Sequence, residues 1–229
     1  NPSEGLVWER FFDPLEYLEE KHVTKEIKKY YDSIINIELN AFNAKRFVNK
    51  SPRLSLRLKW LNKMYPDAYY IVIWRDPKAI VNSLYQKILR EWDRGPVIKY
   101  VHGFKGHQGI VEAFSEKGDK FEACVNYNKF VQKTLKKDIQ IIQKNSIQIN
   151  YEEFVESPRT ILKKLYEFVE LEFYDELKES IPEKLDLNNN YKWKNLPESQ
   201  QNMLKEAFPE STNNDHNFEN ISSNSLHNE

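Results

Sequence analysis

Arg75 closes the apolar run "AYYIVIWR", and Ser83 follows it in "RDPKAIVNS". In open parallel sheets, ligands bind outside the carboxyl ends of the strands, where a residue ending a strand and one on the next helix can share them. Asp76 reads as the cap of that helix and Pro77 as its first residue, where no amide donor is needed. Ser83 then lies nearly two turns on, on roughly the same face as Asp76 and about 10 Å up the axis. An extended anion along this helix can meet both Arg75 and Ser83, aided by the helix amino terminus and by the bidentate geometry of guanidinium. The competing reading pairs Arg75 with Asp76 or another carboxylate and leaves Ser83 an ordinary helical serine.

Further cations widen the pattern. Lys50 ends the run "KRFVNK", 45–50, as Arg75 ends the next, so both are expected at one edge of the sheet, which implies a polyanionic ligand. Arg53 and Arg57, four apart, can continue the cluster along a helix face or simply be solvated helix arginines. Tyr151 closes a third strand at the same edge, where a half-buried terminus is the plainer reading. His102 and His107, flanking "GFKGHQG", have neither zinc-pair nor triad spacing, and those glycines do not open a helix after a strand. Trp8, Phe11 and Phe12 fit either an acceptor pocket or plain core.

The elements that must position these residues follow from periodicity. Residues 14–42 have apolar spacing of three to four with no internal Pro or Gly, which predicts a helix. The run 45–50 predicts a strand stopped by Ser51-Pro52, and "RLSLRLKWLNKMYP" predicts a helix carrying Leu54, Leu58 and Leu61 on one face until Pro66. Residues 68–75 are almost all β-formers, as in a parallel strand covered on both faces. A helix to about Trp92, a loop, a helix over 119–138, a strand over 147–151 and a helix from Pro158 to about Glu170 complete an α/β fold with a mainly parallel sheet flanked by helices. Residues 1–210 are expected to form one domain, and the Asn- and Ser-rich residues 211–229 a disordered tail.

Composition narrows the classes. The 229 residues are 40% hydrophobic with a formal net charge of −1, so no global field steers a polyanion and any anion site is a local cluster of Lys and Arg. The single cysteine, Cys124, excludes an internal disulfide and any multi-cysteine metal site. No apolar run reaches bilayer length and the opening "NPSEGLVWERFF" lacks signal-peptide order, so a soluble, cytoplasmic chain is expected, with the reservation that upstream sequence can carry an anchor.

The stretch "NKSPRLSLRLKWLNKMYPDAYYIVIWRDPKAIVNSL" resembles the Lys-Ser/Thr-Pro segment and "RDPxxxxxS" signature of the PAPS-dependent sulfotransferases, and "INYEEFVESPRTILKKLYEFVEL" resembles their later "RYED" block. With "PSEGLVWERFF", the resemblance covers most of residues 2–196 and includes carbohydrate- and tyrosylprotein-modifying relatives. It implies a P-loop-NTPase-like fold and sulfuryl transfer from 3'-phosphoadenosine 5'-phosphosulfate (PAPS) to a hydroxyl or amine acceptor, releasing 3',5'-diphosphoadenosine (PAP) without a metal. It implies that Arg75 and Ser83 hold the 3'-phosphate, that Tyr151 lies near the nucleotide and that Lys50 offsets charge on the leaving phosphate. Lys192, in "NYKWKNL", matches the basic segment that covers the 3'-phosphate. Glu4, with Glu9 as alternative, matches the base that accepts the acceptor's proton. The acceptor can be a glycan, lipid, peptide or small alcohol.

The family's first strand and its phosphosulfate-cradling loop have no counterpart here, so the chain is expected either to be amino-terminally incomplete, the favoured reading, or to have lost catalysis, and its activity alone is left open. Two other readings compete. One is a catalytically degenerate module that binds a nucleotide or partner. The other is a P-loop kinase relative, which lacks here both a Gly-Lys-Ser/Thr loop and a convincing magnesium-binding aspartate.

Overall fold

A computed structural model describes residues 17–91 and 119–209. In chain order it contains helix α1 (Lys25–Ala41), α2 (Leu58–Met64), strand β1 (Tyr70–Trp74), α3 (Pro77–Glu91), α4 (Lys120–Asp138), strand β2 (Ser146–Asn150), α5 (Tyr151–Glu156), α6 (Pro158–Phe168), α7 (Asp175–Ser180), α8 (Asn188–Tyr191) and α9 (Glu198–Ala207), with short 3-10 turns between. The architecture is a mostly helical α/β fold around a sheet that, among the described residues, has two strands. β1 and β2 run parallel, with Tyr70 opposite Ser146 and Trp74 opposite Asn150.

Caps set the helix boundaries. α1 begins only at Lys25, because Thr24 turns extended and accepts from the Ile27 amide, so the helix expected over 14–42 covers its later part. It ends on Asn43 in the left-handed region (φ 47°), a conformation that asparagine tolerates, with the Ala44 amide bonded to the Leu39 carbonyl at 2.8 Å. α4 starts where Asp119 accepts from the amides of Phe121 and Glu122. Asp76 caps α3, its Oδ1 accepting from the Lys78 amide at 2.8 Å, with buried Pro77 as the first helical residue.

Three expectations need correction. Residues 45–50 form no strand: the segment has no ladder partner among the described residues, and Val48 is 87% exposed, so β-propensity alone did not suffice. Arg46 instead donates to the Val169 carbonyl and lies over the Tyr69 ring. The helix expected after Ser51 is broken at Arg57 into a 3-10 turn, Pro52–Leu56, and α2, and its leucines part company. Leu54 and Leu61 pack with Tyr31 and Trp60, while Leu58 turns under the sheet. Tyr151 does not close a strand. Asn150, the last residue of β2, accepts from the Glu152 and Glu153 amides, so Tyr151 opens α5.

The core lies in four clusters. α3 and α4 pack through Val81, Ile88, Phe121 and Cys124, closed by Trp193, Leu204 and Phe208. α1 meets α2 where Tyr31 and Trp60 stack edge to face, centroids 5.4 Å apart. Beneath the sheet, Val72 and Trp74 rest on Leu58, Leu135, Ile139 and Ile142, and on the other face Ile149 meets Ile161 and Leu165 of α6. Among the described residues, that second face is covered chiefly over β2. Ile71 and Ile73 are 44% and 54% exposed, where a strand covered on both faces was expected. A buried polar knot ties α2 to α4: Lys59 Nζ lies 3.3 Å from the carboxylate of Asp138 and donates to the Tyr17 hydroxyl, which holds Lys59 above its usual pKa. Burial raises the Tyr17 hydroxyl in turn.

Cys124 is fully buried in the α3–α4 cluster, and burial pushes its thiol up to about 12. The folded pKa exceeds the unfolded one, so this contribution to stability is complete at neutral pH and is lost as pH climbs from about 9 toward 12. Iodoacetamide at pH 8 is therefore expected to leave the native thiol unmodified and to label it quickly in denaturant; native labelling at the rate of a free thiol would contradict this packing.

Candidate functional site

The site grows from the last rung of the sheet. Because Trp74 stands opposite Asn150, the next residues, Arg75 and Tyr151, leave the two strands side by side. The Arg75 guanidinium carbon sits 4.6 Å from the centroid of the Tyr151 ring, a cation–π contact. Its Nε donates to Oδ1 of Asn190 at 2.7 Å. Asn190, only 3% exposed, donates through Nδ2 to Oε1 of Glu152 at 2.5 Å, and the same carboxylate oxygen accepts from the Asp76 amide at 3.1 Å. One carboxylate thus joins the start of α5, the turn into α3 and the short helix α8.

The Arg75 guanidinium therefore has no carboxylate in ion-pair contact among the described residues. The reading that it merely pairs with Asp76 does not hold, since Asp76 is spent on capping α3 and Glu152 reaches Arg75 only through Asn190. Among the described residues, the two terminal nitrogens of this half-buried guanidinium make no hydrogen bond. Ser83 lies exposed on α3, seven residues beyond the cap and about 10 Å up its axis. The Lys78 amide of the first turn of α3 is already taken by Asp76, so side chains carry more of any grip than the free amides anticipated.

The remaining expected residues distribute unevenly. Lys50 is exposed in the extended segment before the 3-10 turn, Arg53 is half-buried within that turn, and Arg57 is 2% exposed, so it is no solvated helix arginine. Lys192 is exposed at the start of the 3-10 turn Lys192–Asn195, two residues beyond Asn190, which places its backbone beside the Arg75 network. Glu4, Glu9, Trp8, Phe11, Phe12, the loop with His102 and His107 and the tail from 211 lie outside the described residues.

Sequence reasoning missed Asn190 and Glu152. Asn190 closes the stretch "LDLNNN", three consecutive asparagines with no apolar period to mark burial. Glu152 had a signal, an acid in a helix first turn directly after a strand, which is also where an acid is stabilised by the helix dipole. Among the described residues no group of three His, Cys, Asp or Glu is placed to hold a metal ion, and no helix is long and apolar enough to cross a membrane.

Comparison with known proteins adds one finding. The model of the sulfotransferase family matches residues 8–176. The match includes Lys50, Arg53, Arg75, Ser83 and Tyr151; Glu4 and Lys192 fall outside it. No curated protein and no solved structure matches the chain.

Removing the Asn190 amide strands both the Arg75 Nε and a lone pair of Glu152. Asn190→Ala is expected to cost about 1–3 kcal/mol of stability in urea unfolding. An unchanged midpoint would show that this bridge does not hold the strand ends together.

Proposed function

The chain belongs to the sulfotransferase family, and from that premise we propose that it transfers a sulfuryl group from PAPS to a hydroxyl or amine acceptor. One observation carries the choice of donor: Arg75, at the carboxyl end of β1, is oriented by Asn190 and Tyr151 with no carboxylate in ion-pair contact among the described residues. A cation held in this way suits a phosphate monoester, and the 3'-phosphate is what distinguishes PAPS from ordinary adenine nucleotides. Ser83, farther along α3, supplies a hydroxyl to the same group, and Lys192 and Arg53 add positive charge around it. Tyr151, already against the guanidinium, presents the rest of its ring toward the nucleotide.

Sulfuryl transfer, like phosphoryl transfer, depends chiefly on in-line positioning and on stabilising charge that develops on the leaving oxygen. In this reading Lys50 offsets that charge and Glu4, or else Glu9, accepts the proton released by the acceptor. The acceptor itself is a glycan, lipid, peptide or small alcohol. A degenerate binding module shares the nucleotide grip and differs only in turnover, so release of PAP in the presence of an acceptor separates the two readings. A strict magnesium requirement would point to phosphoryl transfer instead.

The first test is calorimetric titration with PAP and with ADP. The chain is expected to prefer PAP, and Arg75→Ala to weaken PAP binding by about 10- to 100-fold while leaving ADP nearly unchanged, the scale of one lost charge-assisted contact. Equal affinity for the two nucleotides in a well-folded protein would overturn the assignment of Arg75 to the 3'-phosphate.

A further inference from the structure

Charge is sorted between the two faces of the sheet. On the lower face, α4 packs Leu135 against Val72 and Trp74, and its solvent side carries Lys129, Lys133, Lys136 and Lys137. Their spacing gathers them within about 100° around the helix, over about 12 Å of its axis. All four are exposed, and none is ion-paired among the described residues. The acids of α4 do not offset them: Glu122 lies about 10 Å back along the axis from Lys129, and Asp138 is buried and matched to Lys59.

On the upper face, α6 covers β2, and α7 folds back along α6. Phe173, just before α7, packs on the Tyr166 ring, and Arg159, near the start of α6, donates to the Ile181 carbonyl just after α7. This outer layer carries Glu172, Asp175, Glu176 and Glu179, all exposed and none ion-paired among the described residues, with Lys178 as the one cation within the run 172–179. Their steps of three and four residues repeat those of the lysines. Each stripe also has an exposed apolar neighbour: Ile141, four residues after Lys137, and Tyr174, between Glu172 and Asp175.

The two stripes cannot neutralise each other within one chain. Two helix layers and the sheet separate them, about 20 Å by helix diameters alone, which exceeds the screening length of about 8 Å at physiological salt. Between copies there is no such obstacle, because a chain of net charge −1 does not repel its own kind as a whole. We propose that α7 of one copy of this chain docks on the lysine stripe of α4 of a second copy. A single surface ion pair is weak, so the contact depends on several pairs in register around the Tyr174 ring and Ile141. Because the stripes lie on opposite faces, covering one leaves the other open, and the association runs head to tail rather than closing as a two-fold dimer. The inference is independent of what Arg75 holds.

Sedimentation equilibrium of the full chain, from micromolar to millimolar concentration, tests this. In about 20 mM sodium chloride the average mass is expected to climb past that of a dimer, and about 300 mM to weaken association by about tenfold or more. Lys133→Glu/Lys137→Glu and, separately, Asp175→Lys/Glu179→Lys are each expected to cause a similar loss. Mixed in equal amounts, the two variants are expected to associate again, since the acidic α4 of one then meets the basic α7 of the other. An unfolded variant cannot give that recovery, and the milder pair Lys136→Glu and Glu176→Lys repeats the test if a double variant fails to fold. Glu153→Lys/Glu156→Lys, on α5 outside both stripes, is expected to leave association unchanged. A wild-type chain that stays monomeric at low salt overturns the proposal, even where its lysines bind polyglutamate or anionic lipid vesicles instead. So does a closed dimer indifferent to salt, or a mixture of the charge-reversed variants that does not recover.

Discussion

The carboxylate of Glu152 is the contact on which the upper edge of the sheet depends. A parallel pair of strands delivers its two chains to the same end, but each then departs into its own helix, and nothing in the ladder itself fixes the angle of departure. Glu152 Oε1 accepts from the Asp76 amide on one side and from the Asn190 amide group on the other. It therefore couples the exit of β1, the exit of β2 and the remote helix α8 through one oxygen. Arg75 inherits its direction from that coupling, since its Nε reaches the oxygen of the same Asn190 side chain.

The chain handles two part-buried cations in opposite ways, and the contrast is informative. Lys59 is matched by Asp138 and Tyr17, so its charge is compensated within the fold and serves to tie α2 to α4. Arg75 receives an amide oxygen and an aromatic face, which are worth about 1–2 kcal/mol each and do not cancel its charge. A cation with partial solvation and no counterion is the less stable arrangement in isolation. It is also the arrangement that gains most from an arriving oxyanion, which makes the orientation of Arg75 an expense that ligand binding can recover.

Much of this was legible in the residues. Asp76-Pro77 fixed the start of α3 because cap chemistry is local, and β1, α4 and α6 followed from runs long enough to show a period. Arg75 and Tyr151 at one edge were legible because strand ends are marked by polar residues after apolar runs. The errors came where the outcome depended on a partner elsewhere. Residues 45–50 have strand composition, but a strand exists only in a ladder, and single residues such as Val48 carry no information about what lies alongside. Tyr151 went to α5 because the neighbouring Asn150 side chain captured two amides. Asn190 was hidden for a related reason: it comes from a segment more than 100 residues after α3 begins, and polar residues in irregular sequence show no periodicity.

The precision available at Arg75 comes from packing below it. Trp74, the residue before, is 9% exposed, rests on the cluster of Leu135, Ile139 and Ile142, and donates its indole N–H to Gln148 Oε1 at 2.7 Å. The last rung of the sheet is thus fixed by a side-chain hydrogen bond between the strands as well as by the ladder. Pro77 and Ala79, just after Arg75, are buried, and Pro77 has a fixed φ. Between two anchored neighbours the backbone of Arg75 has little freedom, so its side chain alone must be oriented, and Asn190 and Tyr151 suffice for that. The apolar face of β1 at Ile71 and Ile73 is more open, but it lies upstream of this rung. The grip on Arg75 therefore draws on the better-packed face of the sheet and is insulated from the looser one.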